Sequence, residues 1–276
     1  MLEAGGHEVG VLLMDRASLP NLRPSRRLRV FSRLDHKVLH RFANLFVACT
    51  ATELPAVARL ASAANRAHRL RGLFIRQDVD AGFIGAMLDR AHLRLWRNVL
   101  VHKGPPVPGR VIRAWEMGAQ DRLIAEAAVS AGRLFVLTCA LEQLEVPIGQ
   151  LPALAGLAAG DLRVFEVSSD GSYVHWPRPD VHLDLDAIRY ATDPAWRERA
   201  DVEKATHDKR FGAGVAALRE RRGLRQSDIP GLSERQVRRI EAGSQPRVET
   251  LRILARAHGM ELSAYLERVS EHSAPH

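Results

Sequence analysis

The sequence predicts a multidomain α+β chain, with a helical N-terminal region, a small antiparallel-sheet middle domain and an all-α five-helix domain at the C-terminus. Three observations predict it. Between Asp35 and Val101 the apolar residues recur at helical spacing; between Leu123 and Trp176 pairs of apolar runs are split by turn residues. From Phe211 onward, short helical periods alternate with caps, glycines and a proline. The boundaries that follow are 1–105, 106–192, a helical connector over 193–208, and 209–276, and 276 residues are enough for two or three domains.

The elements follow in order. Glu8–Met14 reads as a buried strand, and Asn21–Arg33 as a basic, proline-broken segment whose plain reading is a solvated surface. Asp35 precedes Val38, Leu39, Phe42, Leu45 and Phe46, an amphipathic helical pattern. Thr52 with Leu54-Pro55 opens a second helix holding Val57, Leu60, Ala61 and Ala64. A third starts at Asp78 or Asp80 and runs through Phe83, Ile84, Met87, Leu88, Leu95 and Trp96. Lys103–Gly109, with two adjacent prolines, a third and flanking glycines, reads as a linker. After a short helix near Ile112–Met117, Leu123–Val129 and Arg133–Cys139 form one hairpin and Leu144–Ile148 adds a strand. Leu151–Leu157 is an apolar bridge. Arg163–Val167 and Ser172–Trp176 form a second hairpin across Asp170-Gly171. Asp193-Pro194 is a helix start, N-cap then proline, for a charged helix over Trp196–Lys209 anchored by Trp196 and Val202.

Composition narrows the function classes. The formal net charge is +8 and the pI about 10.2, a balance that points to a polyanionic partner, and arginine outnumbers lysine. Cys49 and Cys139 are the only cysteines, which predicts no disulfide framework, no cysteine zinc site and a reducing, cytoplasmic setting. No apolar run reaches the ~18 residues of a membrane span, and no leader with a cleavage site is expected. No Ser-His-Asp order, Cys-His pair, paired-carboxylate motif or His-Glu-x-x-His helix is present, so no catalytic residue is assigned and an enzyme is not expected. No cofactor is expected either. His36 and His40 stand one helical turn apart and read as a surface pair. Asp180, His182, Asp184 and Asp186 alternate with apolar residues and have His175 nearby. An edge strand with its acidic side in water is preferred there to a metal site, because ligands on one flat strand diverge.

The C-terminal stretch carries the functional signal. Phe211, Val215 and Leu218 mark one helical face ending at Arg221-Arg222-Gly223. Ser233 is a natural N-cap, and after it Val237 and Ile240 turn inward while Glu234, Arg235, Gln236, Arg238 and Arg239 turn outward. Gly243 and Pro246 close that helix; Arg247–His258 and a segment with Leu262, Tyr265 and Leu266 supply two more. These helices resemble the DNA-binding domain of the lambda repressor, Cro and Xre family. The matching residues are Leu218-Arg219, Gly223-Leu224, Gln226, Ser233, Arg239-Ile240-Glu241, Gly243, Pro246, Thr250-Leu251, Leu254-Ala255 and His258-Gly259. The resemblance implies a helix-turn-helix in which Ser233, Glu234, Arg235, Gln236 and Arg238 approach double-stranded DNA and Gln226 meets a backbone phosphate. Arg239 and Glu241 are expected as partners within the fold. The spacing from Gln226 to Ser233 is about three residues shorter than in the family, and Pro230-Gly231 cuts the second helix to about one turn. The middle part resembles a small bacterial domain of unknown function that closes on a Trp-Pro and Asp-x-Asp-Leu-Asp signature, here His175-Trp176-Pro177 and Asp180–Asp186. A dimeric, sequence-specific transcriptional regulator is the expected function. The alternative is an adaptor or antitoxin-like protein whose N-terminal part binds a protein partner.

Overall fold

The computed structural model describes residues 8–35, 41–91 and 96–273. The chain divides into two compact units, Met1–Thr192 and Asp193–His276. His36, His40 and Leu95 lie outside the described residues.

The first unit overturns the expected fold class. Its N-terminal half is α/β, built on a five-stranded parallel sheet, and not a helical region. The strands are β1 (Val9–Leu13), β2 (Leu28–Phe31), β3 (Asn44–Thr50), β4 (Leu70–Arg76) and β5 (Val99–His102), in the order β2-β1-β3-β4-β5. Helices α1 (Leu54–Arg66) and α2 (Ala81–Arg90) connect β3 to β4 and β4 to β5. Strand side chains alternate between two cores. Leu12, Leu45, Val47, Cys49, Leu73 and Ile75 pack with Val57, Leu60, Ala61, Ala64 and Ile84 on one face. Val9, Val11, Phe46, Ala48 and Phe74 pack on the other against Val111, Ile112 and Ala114 of α3 (Pro106–Met117). All seven residues of β3 are buried, including Leu45 and Phe46, which the helical spacing had claimed. The stretch read as a linker is the start of α3, with Pro106 and Pro108 in its first turn. Amides there have no intrahelical acceptor, so proline is tolerated.

Two small antiparallel sheets complete this unit. The first joins β6 (Ile124–Ser130), β7 (Arg133–Thr138) and β8 (Gln143–Pro147); the second orders β11 (Val181–Asp184), β10 (Tyr173–Trp176) and β9 (Glu166–Val167). They share a core of Ile124, Leu134, Val136, Val146, Val174, Trp176 and Leu183, joined by Leu185 and Ile188 of α5 (Leu185–Thr192). The one-turn α4 (Ala159–Leu162) lies between β8 and β9, and its Leu162 carbonyl accepts from the buried Trp176 indole at 3.2 Å. At the β9–β10 turn Gly171 has φ +80, and a Cβ there would stand 2.5 Å from the Ile124 carbonyl oxygen, so only glycine fits.

The second unit is helical. Asp193 caps α6 (Pro194–Arg221), accepting from the Trp196 amide at 3.0 Å. The expected connector and the expected first helix of the bundle are one continuous 28-residue helix. Val202 is 61% exposed and anchors nothing, contrary to expectation. A 3-10 turn (Gln226–Asp228), α7 (Glu234–Glu241), α8 (Val248–Ala257) and α9 (Leu262–Ser273) follow around Val215, Leu218, Ile229, Val237, Ile240, Leu254, Tyr265 and Val269. Among the described residues, no helix is long and apolar enough to cross a membrane.

Candidate nucleic-acid interface

α7 is held from beneath and capped at its start. Gly212 of α6 lies against its last turn so closely that a Cβ would meet the Glu241 carbonyl oxygen at 2.5 Å and that of Ile240 at 2.6 Å. Glycine inside a helix costs about 0.5–1 kcal/mol relative to alanine, and here the close approach requires it. Beside that contact Arg219 is buried: its Nε donates to Glu241 Oε1 at 2.5 Å and its Nη1 to the Leu224 carbonyl at 2.7 Å. The bond to Glu241 raises the Arg219 pKa further, against the opposing pull of burial. The partner of Glu241 within the fold is therefore Arg219, whereas Arg239, expected in that role, is exposed.

The predicted contact residues divide by what already holds them. The Gln226 side-chain Nε2 donates to Glu241 Oε2 at 2.5 Å and is engaged inside the fold. Ser233 and Gln236 form a reciprocal cap: the Gln236 amide donates to Ser233 Oγ at 3.3 Å, and the Ser233 amide donates to Gln236 Oε1 at 2.8 Å. Glu234 accepts from Arg238 Nη2 at 2.7 Å, one helical turn away on the surface. Arg235 is exposed, and among the described residues no side-chain partner holds it. At ~100° per residue, Arg235, Arg238 and Arg239 fall within about 100° of arc, centred roughly opposite the buried Val237 and Ile240. The helix thus presents an arginine stripe directly away from its anchored side.

No family model matches this chain, and neither a curated protein nor a solved structure matches it significantly. The functional reading rests on the residues and their geometry.

A second polar cluster escaped the sequence analysis. In an open sheet of order 2-1-3-4-5, the crevice lies beyond the carboxyl ends of the strands where the order reverses, here between β1 and β3. Asp15 follows β1 and accepts from Arg76 Nε at 2.5 Å and from Ser18 Oγ at 2.7 Å. Burial pushes the Asp15 carboxyl up, but the bonds from Arg76, Ser18 and the Ala17 amide outweigh it and hold it below the usual range. Asp78, after β4, takes the Thr52 hydroxyl at 2.5 Å, and Glu53 takes the Thr50 amide at 2.9 Å. His102, ending β5, is 7% exposed, and burial lowers its pKa against the pull of the Gly104 carbonyl 2.9 Å from Nδ1. A neutral ring with Nδ1 donating leaves Nε2 a bare acceptor. Burial also pushes the Cys49 thiol up to about 12, so it stays protonated. A polar residue follows each apolar run, a signal visible only once the runs are read as strands.

The residues weighed as metal ligands separate. Asp184 caps α5, accepting from the Ala187 amide at 2.7 Å, and Asp186 lies in the first turn of α5. His175, Asp180 and His182 come together.

Proposed function

We propose that this protein binds double-stranded DNA sequence-specifically through α7, acting as a dimeric transcriptional regulator, a repressor or autoregulator. The observation that carries the reading is the stripe of Arg235, Arg238 and Arg239 on a helix capped by Ser233 and anchored by Val237, Ile240 and the Gly212 contact. Arginine suits this task because its planar fork pairs bidentately with guanine and with phosphate. A basic chain, +8 overall, adds the non-specific attraction that brings such a helix to DNA. One recognition helix covers few base pairs, and a dimer on a pseudo-palindrome supplies the remaining specificity.

Fragments of genomic DNA selected by the purified full-length protein supply the test site. Arg235→Ala is expected to cost about 1–3 kcal/mol on that site and to flatten preference at one base position. Arg239→Ala, if it meets phosphate, weakens all sequences alike and lowers the salt slope by about one unit. Unchanged site preference in Arg235→Ala, Arg238→Ala and Arg239→Ala, each well folded, rejects DNA reading by α7 and makes it a protein-docking helix.

A further inference from the structure

We propose that His175, His182 and Asp180 form a binding site for a divalent first-row transition ion such as Zn2+ on the open face of the β9–β11 sheet. The alternation of the strands builds that face. Val174 and Trp176 of β10 and Leu183 of β11 are buried beneath the sheet, which sends His175 and His182 to the other side. The antiparallel register sets His175 directly opposite His182 on one flank and Glu166 on the other. The ligands therefore come from neighbouring strands and a turn, and the divergence expected of a single flat strand does not apply.

The two imidazoles lie nearly parallel, with ring centroids 4.1 Å apart and planes 9° from each other. Asp180 precedes β11 in a left-handed conformation at φ +50, a region that aspartate enters more readily than most residues. There its Oδ1 stands 3.3 Å from His175 Nε2 and 3.9 Å from His182 Nδ1. One ligand atom from each residue lies within 4.8 Å of the other two. Around a tetrahedral ion with bonds of about 2.0–2.2 Å, neighbouring ligand atoms are about 3.3–3.6 Å apart. The Asp180 side chain is 81% exposed and that of His182 44%, which leaves both room to turn toward an ion. Binding requires the His182 ring to tilt out of its stack on His175 so that both in-plane lone pairs meet the metal. Behind His175 the Glu166 Oε1 is 3.6 Å from Nδ1, at the ring nitrogen away from Asp180, close enough to move in and orient a ligating imidazole. Two imidazoles and a carboxylate select a borderline ion over Mg2+ or Ca2+, which prefer oxygen alone. Three protein ligands leave one position for water or a further group.

The test is a calorimetric titration of EDTA-stripped full-length protein with ZnCl2, compared with variants of unchanged melting temperature. Wild type should bind one Zn2+ per chain more tightly than His182→Ala, which should lose that equivalent. Asp180→Asn keeps a side chain that tolerates the left-handed turn, removes the anion, and should lose it as well. Glu166→Gln should retain the site at about 10–100-fold lower affinity. Asp184→Asn, which alters only the cap of α5, should match wild type. Absence of a stoichiometric Zn2+ in wild type, or wild-type binding in both His182→Ala and Asp180→Asn, overturns the proposal.

Discussion

The carboxyl edge of the parallel sheet and the open face of β9–β11 both gather ionisable side chains, and they differ in how those side chains are satisfied. At the edge Asp15 has Arg76 and Ser18, Asp78 has Thr52, and Glu53 has Thr50, so each carboxylate meets a donor within the protein. On the open face His175, Asp180 and His182 have chiefly one another, and the carboxylate is in water. Where a partner is buried, as Ser18 and Thr50 are, the pairing stabilises the fold, because that hydroxyl would otherwise be buried unpaired. An open cluster keeps its capacity for something that arrives later. The same division runs through the second unit, where Arg219 is spent on Glu241 and Arg235 is left outside.

The largest expected effect lies at the most closed pair. The Arg219 and Glu241 side chains are 10% and 9% exposed, so Arg219→Ala leaves a buried carboxylate without its countercharge, held by Gln226 alone, and leaves the Leu224 carbonyl without this donor. Breaking one side of such a pair costs about 3–5 kcal/mol. Urea denaturation of the full chain, followed by circular dichroism, should show the helical unit unfolding at much lower denaturant. A loss below about 1 kcal/mol would place this pair with ordinary surface ion pairs and dissolve the distinction from Arg235.

A smaller loss is expected at the sheet edge. Asp15→Ala removes the acceptor of Arg76 Nε and of the buried Ser18 hydroxyl. Arg76 can turn toward solvent, whereas Ser18 cannot, which suggests about 1–3 kcal/mol. Thermal unfolding measures it, and an unchanged midpoint would mean that the edge is not closed.

These two regions also explain what was legible in the sequence. The second unit is dominated by local rules: Asp193 before Pro194, Ser233 with Gln236, and glycines at the ends of helices, each acting within a few residues. The charged connector and the apolar face that begins at Phe211 read as two helices because their composition changes there, yet the helix runs on without a break. The reason for Gly212, the Glu241 backbone, lies 29 positions away and is invisible to a local pattern. The parallel sheet is specified by pairings far apart in sequence. β3 is buried on both faces, so Leu45–Cys49 is a continuous apolar run without alternation, and with Phe42 before it the run mimics helical spacing. β4 was hidden by arginines at positions 71 and 76. The metal cluster was half legible: the His175 and Asp180–Asp186 signature was noticed, but Glu166 enters only through strand register and Asp184 leaves only through its cap.

The smallest effect isolates a single charge in a solvent-facing turn. Asp170 accepts from the Ser168 and Ser172 hydroxyls, both at 2.7 Å, and from the Ser172 amide at 3.1 Å. The two serine hydroxyls and that amide hold its carboxyl down to about 2. In the unfolded chain an aspartate titrates near ~3.9. The folded value is the lower one, so the stabilisation is fully present above the unfolded value and is lost as pH falls through about 4 toward 2. Asp170→Asn keeps an acceptor oxygen and removes the charge. The turn is exposed and solvent screens it, so the difference between wild type and variant at neutral pH should stay below about 1 kcal/mol. Melting temperatures taken across the acid range should show a constant gap above about pH 5 that closes as pH approaches about 2. A gap that instead widens in acid would mean that the charge destabilises the turn, and Asp170 would then belong with the open acids near Asp180 and not with the closed ones at the sheet edge.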